Sequence, residues 1–167
     1  MRIIKIICFS DSHGDLDSLL QVAEKNMDTD LFIHLGDGSK DFAQFKELMA
    51  GKGFQFVGIS GNCDYDDIVR RYKIFYAKKR KFLITHGHNF FVDRTLEEIK
   101  ALMVKQDIDI AFVGHTHIPM VLHFGDRMII NPGSVSRPRQ YIKQRSYARL
   151  LVPDDYHDYA SPQIEFI

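Results

Sequence analysis

"RIIKIICFSDSHGDLDSLLQVAEKNMDTDLFIHLGDG", residues 2–38, reads as strand, polar loop, helix, strand and polar loop. The two apolar runs, "RIIKIICFS" and "LFIHLG", are too short for core helices and have strand character. Between them Leu16, Leu19, Leu20 and Ala23 fall at i, i+3, i+4 and i+7, one stripe of an amphipathic helix. The pattern then recurs. "SKDFAQFKELMAGKG" places Phe42, Phe45 and Met49 on one face, with Ser39 set to cap its start and Gly51 to end it. A third apolar run, "FQFVGIS", follows. Strands alternating with helices favour parallel, right-handed crossovers and a sheet covered on its faces.

The second half changes character. "KIFYAKK" and "KFLITHG" read as a hairpin joined through Lys79 and Arg80. "DRTLEEIKALMVKQ" reads as a helix, with Thr95 and Glu98 spaced as a capping box and Leu96, Ile99 and Met103 on its buried face. "DIAFVGHTH" is a strand entering a loop, and "MVLHFGDRMIINPGS" is a hairpin turning at Gly125-Asp126. "YARLLV" and "QIEFI" add two strands. The total, about ten strands and three to four helices, exceeds one simple doubly wound sheet and predicts two packed sheets with helices outside them. The basic cluster "KKRK", residues 78–81, reads as a solvated turn, and "DDYHDY", residues 154–159, as an exposed loop.

Bulk composition limits the function. The chain has 167 residues, 45% hydrophobic, which predicts a single domain spanning 1–167. Lys plus Arg equals Asp plus Glu at 22 each, so no global field selects nucleic acid or an anionic membrane. Lys5 and Asp11 interrupt the N-terminal apolar run too early for a signal peptide, and no segment approaches a membrane span. Two cysteines, Cys8 and Cys63, form no disulfide framework and suit a reducing cytoplasm.

The chemistry-bearing residues fall at strand ends. Asp11 and His13 follow the first strand, Asp37 the second, Asn62 the third, His86 and His88 "KFLIT", and His115 and His117 "DIAFVG". Each alone has a duller reading: Asp11 as a helix-entry cap, Asp37 as a turn residue, His115 or His117 as a hydrogen-bonded loop histidine. Loops at the carboxyl ends of strands open onto one crevice, so together they predict convergence. Carboxylates, an amide oxygen and imidazoles suit Mn, Fe, Co, Ni or Zn better than a calcium cage of oxygens. Two divalent ions against two carboxylates leave a net positive site, attractive to a phosphate ester. Such a pair, roughly 3.5–4 Å apart, can hold a hydroxide and clamp phosphoryl oxygens.

The ordered series "DSH", "GD", "GNCD", "THGH" and "GHTH", with "GHTHIP" and "NPGSVSRP", resembles the calcineurin-like metallophosphoesterases, in particular their small bacterial and archaeal phosphodiesterase branch. The resemblance implies a four-layer αββα sandwich of two mixed sheets. It implies two divalent transition-metal ions, manganese foremost, one held by Asp11, His13 and His117 and the other by Asn62, His86 and His115, with Asp37 bridging. It also implies a small phosphate diester as substrate, Asn62 contacting it, and a homodimer. The wider family has a histidine after the asparagine, credited with protonating the leaving oxygen; here that position is Cys63, a weak donor. Asp64, which in the family orients that histidine, loses its evident partner. His88 is then a substitute donor or a residue supporting His86. The "NPGSVSRPRQ" segment reads as a tight turn buttressing the metal loops, from which Arg137 and Arg139 could reach a phosphate. A diester is preferred over a monoester because no further basic cluster accompanies the metal motifs. Two rivals remain: a non-catalytic interaction protein of the same fold, against which all seven ligand positions are intact, and a nucleotidase or phosphomonoesterase, which the compact chain disfavours.

Overall fold

The computed structural model describes residues 3–65, 70–154 and 160–167. Ten strands and three α-helices occupy these residues, in the order β1 (Ile4–Phe9), α1 (Leu16–Glu24), β2 (Leu31–His34), α2 (Ser39–Leu48), β3 (Gln55–Gly58), β4 (Lys73–Ala77), β5 (Arg80–Thr85), α3 (Glu97–Lys105), β6 (Ile110–Val113), β7 (Pro119–Phe124), β8 (Arg127–Pro132), β9 (Ser146–Val152) and β10 (Ser161–Phe166). A single 3-10 turn, His88–Phe90, follows β5. One sheet has the order β10-β9-β1-β2-β3 and the other β4-β5-β6-β8-β7. Strands β1, β2 and β3 run parallel, as do β5, β6 and β8, and each sheet gains antiparallel strands at its edges.

Strand alternation makes this a four-layer molecule. On β1, Ile6 and Cys8 point between the sheets, where they meet Ile33, Phe82, Ile84, Phe112 and Ile130. Ile7 and Phe9 point the other way, against Leu19 and Val22 of α1 and Phe42 and Phe45 of α2. The second sheet repeats the arrangement: Leu83, Ala111 and Ile129 pack on Ile99 and Met103 of α3. Central strands buried on both faces are apolar along their middles, which is why "IICF" and "IAFV" lack a polar face. The expected sandwich of two mixed sheets flanked by helices is the observed architecture. No helix among the described residues is long and apolar enough to cross a membrane.

Local expectations needed three corrections. The first hairpin turns at Lys78-Lys79, so Arg80 begins β5 and is buried; the "KKRK" stretch is therefore half in the sheet. Ser39 does not cap α2, whose cap position is Gly38 without a side-chain bond. The Thr95–Glu98 capping box does not close, because α3 starts two residues after Thr95, whose hydroxyl accepts from Glu97 N. The Gly125-Asp126 hairpin and the helix stripes stand as expected. Most of "DDYHDY" lies outside the described residues.

Candidate metal centre

The loops leaving β1, β2, β3, β5 and β6 are the carboxyl ends of parallel strands drawn from both sheets, so both sheets aim at one end of the sandwich. The backbone there is unusual. Asp11 (φ 57°), His13 (46°), Asp37 (55°), His115 (69°) and His117 (60°) all adopt the left-handed conformation, which L side chains seldom take. Such residues persist only where surrounding structure over-determines them, and they collect at functional sites. Close approach forces glycines beside them: a Cβ on Gly36 would collide with the Gly61 backbone, and one on Gly61 with Asp37.

The side chains converge. Asp11 Oδ1 lies 3.1 Å from His117 Nε2 and 4.0 Å from His13 Nε2, and the two imidazole nitrogens are 3.4 Å apart. Asp37 Oδ2 lies 3.8 Å from His13 Nε2 and 3.6 Å from His86 Nε2. Asn62 Oδ1 is 3.0 Å from His86 Nε2, and the His115 ring sits 5.2 Å from that of His86. Asp11, His13 and His117 have ligand atoms close enough together to hold one ion, as do Asp11, Asp37 and His86; Cys63 adds a third set with His13 and Asp37.

The hydrogen bonds behind these groups show that a cation fits. His86 Nδ1 donates to Leu35 O at 2.8 Å and His117 Nδ1 to Arg137 O at 2.6 Å, so in each neutral ring Nε2 carries a lone pair. Those lone pairs face further acceptors, Asn62 Oδ1 and Asp11 Oδ1, and Asp11 Oδ1 is buried with no hydrogen bond. Acceptor against acceptor at 3 Å is repulsive until a cation or proton stands between them. Burial holds the His13 and His115 pKa values below the usual imidazole range, which keeps both rings unprotonated and able to ligate. His117 moves upward despite burial, because Asp11 beside it favours a proton on its nitrogen.

Three supports hold the loops, and the sequence reading missed two. Asp64 is not partnerless. Its carboxylate accepts from Asp37 N (2.7 Å), Gly61 N (2.8 Å), Gly38 N (2.9 Å) and Ser39 N (2.8 Å), tying the Asp37 and Asn62 loops together and capping α2. This corrects the expectation that its role lapses with the absent histidine. Second, Gly36 N donates to His34 Nδ1 at 3.1 Å, leaving the proton on Nε2, 3.1 Å from Ser12 Oγ. Ser12 in turn donates to Asp41 Oδ2 at 2.6 Å. Burial pushes His34 down to about 4, so this chain keeps one direction at neutral pH. Nothing local marked it beyond a histidine in an apolar strand and an aspartate in a first helical turn. Third, Ser134 and Ser136 hydroxyls both donate to Asp11 O, at 2.8 and 2.9 Å, and Asn131 Nδ2 donates to Gly114 O at 3.0 Å. The "NPGS" segment thus buttresses the loops after β1 and β6.

The remaining candidates lie around this centre. Cys63 is exposed and its N–H donates to Asp37 Oδ1 at 2.8 Å; the Asp37 carboxylate and burial raise its thiol to about 11. The ring of His88 is 5.3 Å from that of His86, and its Nε2 is 2.8 Å from Asn89 Nδ2. Its Nδ1 is buried without a hydrogen bond. Arg137 and Arg139 are exposed, and their charges act against protonation of His13 and His117 respectively.

The chain belongs to the calcineurin-like phosphoesterase superfamily, whose domain model matches residues 4–155. It is 29% identical over 168 residues to a probable metallophosphoesterase, YsnB, of Bacillus subtilis, covering 97% of this chain and 95% of that one. It is 27% identical over 157 residues to the phosphodiesterase YfcE of Escherichia coli K12, covering 81% and 82%. Its fold is shared with the zinc complex of Vps29 from Entamoeba histolytica, at TM-score 0.75 and 15% identity over 98% of this chain and 99% of that one.

Asp64 allows a direct check. Burial opposes its ionisation, but the N–H groups of Gly61, Ser39 and Gly38 outweigh burial and lower its pKa. A depressed carboxyl pKa stabilises the fold fully above the unfolded value near 3.9 and loses that contribution as pH falls through the folded value. Asp64→Asn should therefore cost about 2 kcal/mol at pH 7, and the gap from wild type should close in acid. Denaturant titrations at both pH values measure it; an equal deficit at both would show that the charge does not carry the clamp.

Proposed function

We propose that the chain is a binuclear, metal-dependent phosphodiesterase. The observation that carries this reading is the position of Asp37 Oδ2, between His13 Nε2 at 3.8 Å and His86 Nε2 at 3.6 Å. On this reading Asp11, His13 and His117 would hold one ion and Asn62, His86 and His115 the other, with Asp37 shared between them. The mixture of carboxylate, amide and imidazole donors suits manganese, with Ni, Zn, Fe or Co as alternatives. When bound there, two such ions would supply an activated water and stabilise charge on a phosphoryl group.

The chain's own groups orient and screen. Leu35 O and Arg137 O hold the His86 and His117 rings by their far nitrogens, so Nε2 points into the site. Asn62 is exposed and offers its amide to a bound phosphate as well. Neither candidate proton donor is a ready acid at neutral pH, since burial and the neighbouring His86 and His115 lower the His88 pKa. With Nε2 accepting from Asn89, its proton sits on Nδ1, which has no other partner. Cys63, with a thiol at about 11, holds its proton too firmly to deliver it at a useful rate. Arg137, exposed at the rim near His13, suits a second anionic group of the substrate. Two unpaired cysteines, one buried and one exposed, agree with a cytoplasmic setting.

A small phosphate diester is the substrate this arrangement favours, and YfcE, a relative named as a phosphodiesterase, supports that choice. The zinc-bound Vps29 fold neighbour supports an alternative, a metal-binding interaction protein, which predicts bound metal without turnover. Metal-stripped protein reloaded with Mn, Ni, Zn or Mg should hydrolyse bis(p-nitrophenyl) phosphate faster than p-nitrophenyl phosphate. Absence of diesterase activity with every metal would overturn the enzymatic reading. Asp37→Asn should abolish both metal occupancy and rate; two retained ions with full turnover would disprove the bridging role.

Cys63→His separates leaving-group protonation from the rest. It should accelerate esters with poor leaving groups and leave good ones nearly unchanged. An equal effect on both series would place position 63 away from the leaving oxygen.

A further inference from the structure

Neither ion in the two-ion reading uses Cys63, yet its sulfur stands beside two of their ligands. The Cys63 sulfur, an imidazole nitrogen of His13 and a carboxylate oxygen of Asp37 all lie within 4.8 Å of one another. The same three residues line a cleft of about 310 Å³ that opens beside the start of α2, and Asp11, His86 and His117 are not among the described residues lining it. The other carboxylates on this cleft are spent: Asp41 Oδ2 accepts from Gly14 N and the Ser12 hydroxyl, and Asp64 accepts from four main-chain amides. A cation entering here meets Cys63, His13 and Asp37.

The spacing suits a small divalent ion. Sulfur, nitrogen and oxygen ligands of a tetrahedral zinc stand about 2.0–2.3 Å from the metal and so about 3.3–3.7 Å from one another. His13 Nε2 and Asp37 Oδ2 are 3.8 Å apart. The Asp37 carboxylate is buried and accepts from Cys63 N at 2.8 Å, which ties it to the residue carrying the sulfur. Asn62 Nδ2 donates to that sulfur at 3.4 Å while its amide oxygen faces His86 Nε2, so the sulfur already serves as an acceptor. A cysteine sulfur is a soft ligand and favours zinc-like ions over manganese or magnesium.

Sharing imposes a choice. His13 Nε2, 3.8 Å from Asp37 Oδ2, is also 4.0 Å from Asp11 Oδ1 and 3.4 Å from His117 Nε2. It has one lone pair and can serve one ion at a time. We propose that Cys63, His13 and Asp37 form an alternative site for a soft divalent ion, zinc or cadmium, whose occupancy excludes the ion otherwise held by Asp11, His13 and His117. The exclusion rests on the two-ion reading; the site itself does not. On binding, a metal–sulfur bond forms and the thiol proton passes to solvent. The Asp37 carboxylate that holds the free thiol up at about 11 is neutralised by the ion they share, and a coordinated thiol is deprotonated.

The test titrates cadmium into the full chain, stripped of metal and kept reduced. A thiolate-to-cadmium charge-transfer band should rise in the ultraviolet to one ion per chain, with no change of oligomeric state by light scattering. Cys63→Ser should abolish the band and weaken cadmium by about tenfold or more, with manganese affinity kept within about twofold. Added to manganese-loaded wild type, cadmium should release at least one manganese, read as the spin-resonance signal of the free ion. Absence of the band, its survival in Cys63→Ser, one ion bound between two chains, or equal cadmium affinities of the two proteins would overturn the site. Full retention of manganese beside sulfur-bound cadmium would overturn the exclusion. Absence of manganese binding would strike the two-ion reading and the exclusion with it, but not the site, which the band decides.

Discussion

Acceptor faces acceptor at one end of this molecule, and the surrounding structure holds them there. His86 and His117 turn Nε2 toward the oxygens of Asn62 and Asp11 because Leu35 O and Arg137 O occupy their other nitrogens. Left to relax, such groups would rotate apart or take up water. They are kept in place by five left-handed residues, each costing on the order of 1 kcal/mol, which only a rigid scaffold can maintain. That scaffold is the pair of sheets, whose central parallel strands are buried on both faces.

The loops are then cross-tied so that no one of them moves alone. Asp64 joins the loops after β2 and β3, the Gly36–His34–Ser12–Asp41 chain joins β1, β2 and α2, and Ser134 and Ser136 anchor the loop after β1 from the far sheet. Carbonyl and carboxylate partners behind metal-binding histidines are a general way to fix ring orientation and basicity. In this chain the same device extends one layer outward, to the backbone amides of the loops themselves. Membership of the calcineurin-like phosphoesterase superfamily follows from the match over residues 4–155, whereas the fit to a cation comes from the hydrogen bonds of this chain.

Much of this was legible beforehand, for identifiable reasons. The strands and helices were read from periodicity, which buried β1 and amphipathic α2 show without ambiguity, and strand-end placement brought Asp11, His13, Asp37, Asn62, His86, His115 and His117 into view. What escaped were contacts between residues distant in sequence. Asp64 reaches the main chain of residues 37–39, and His34 reaches Ser12; neither pair leaves a local pattern. Arg80 was misplaced because a run of basic residues resembles a solvated turn, while strand pairing with Ala77 draws it into the sheet. Capping failed at Ser39 for a related reason: a carboxylate from another loop serves the helix end better than the local hydroxyl.

Anomalous diffraction from crystals of the protein loaded with manganese tests the central claim most directly. The account predicts two anomalous peaks flanking the Asp37 carboxylate, with Asp11, His13, Asp37, His115 and His117 retaining their left-handed backbone in both loaded and metal-free crystals. A single peak, peaks away from these residues, or loops that acquire this conformation only when metal is bound would contradict it.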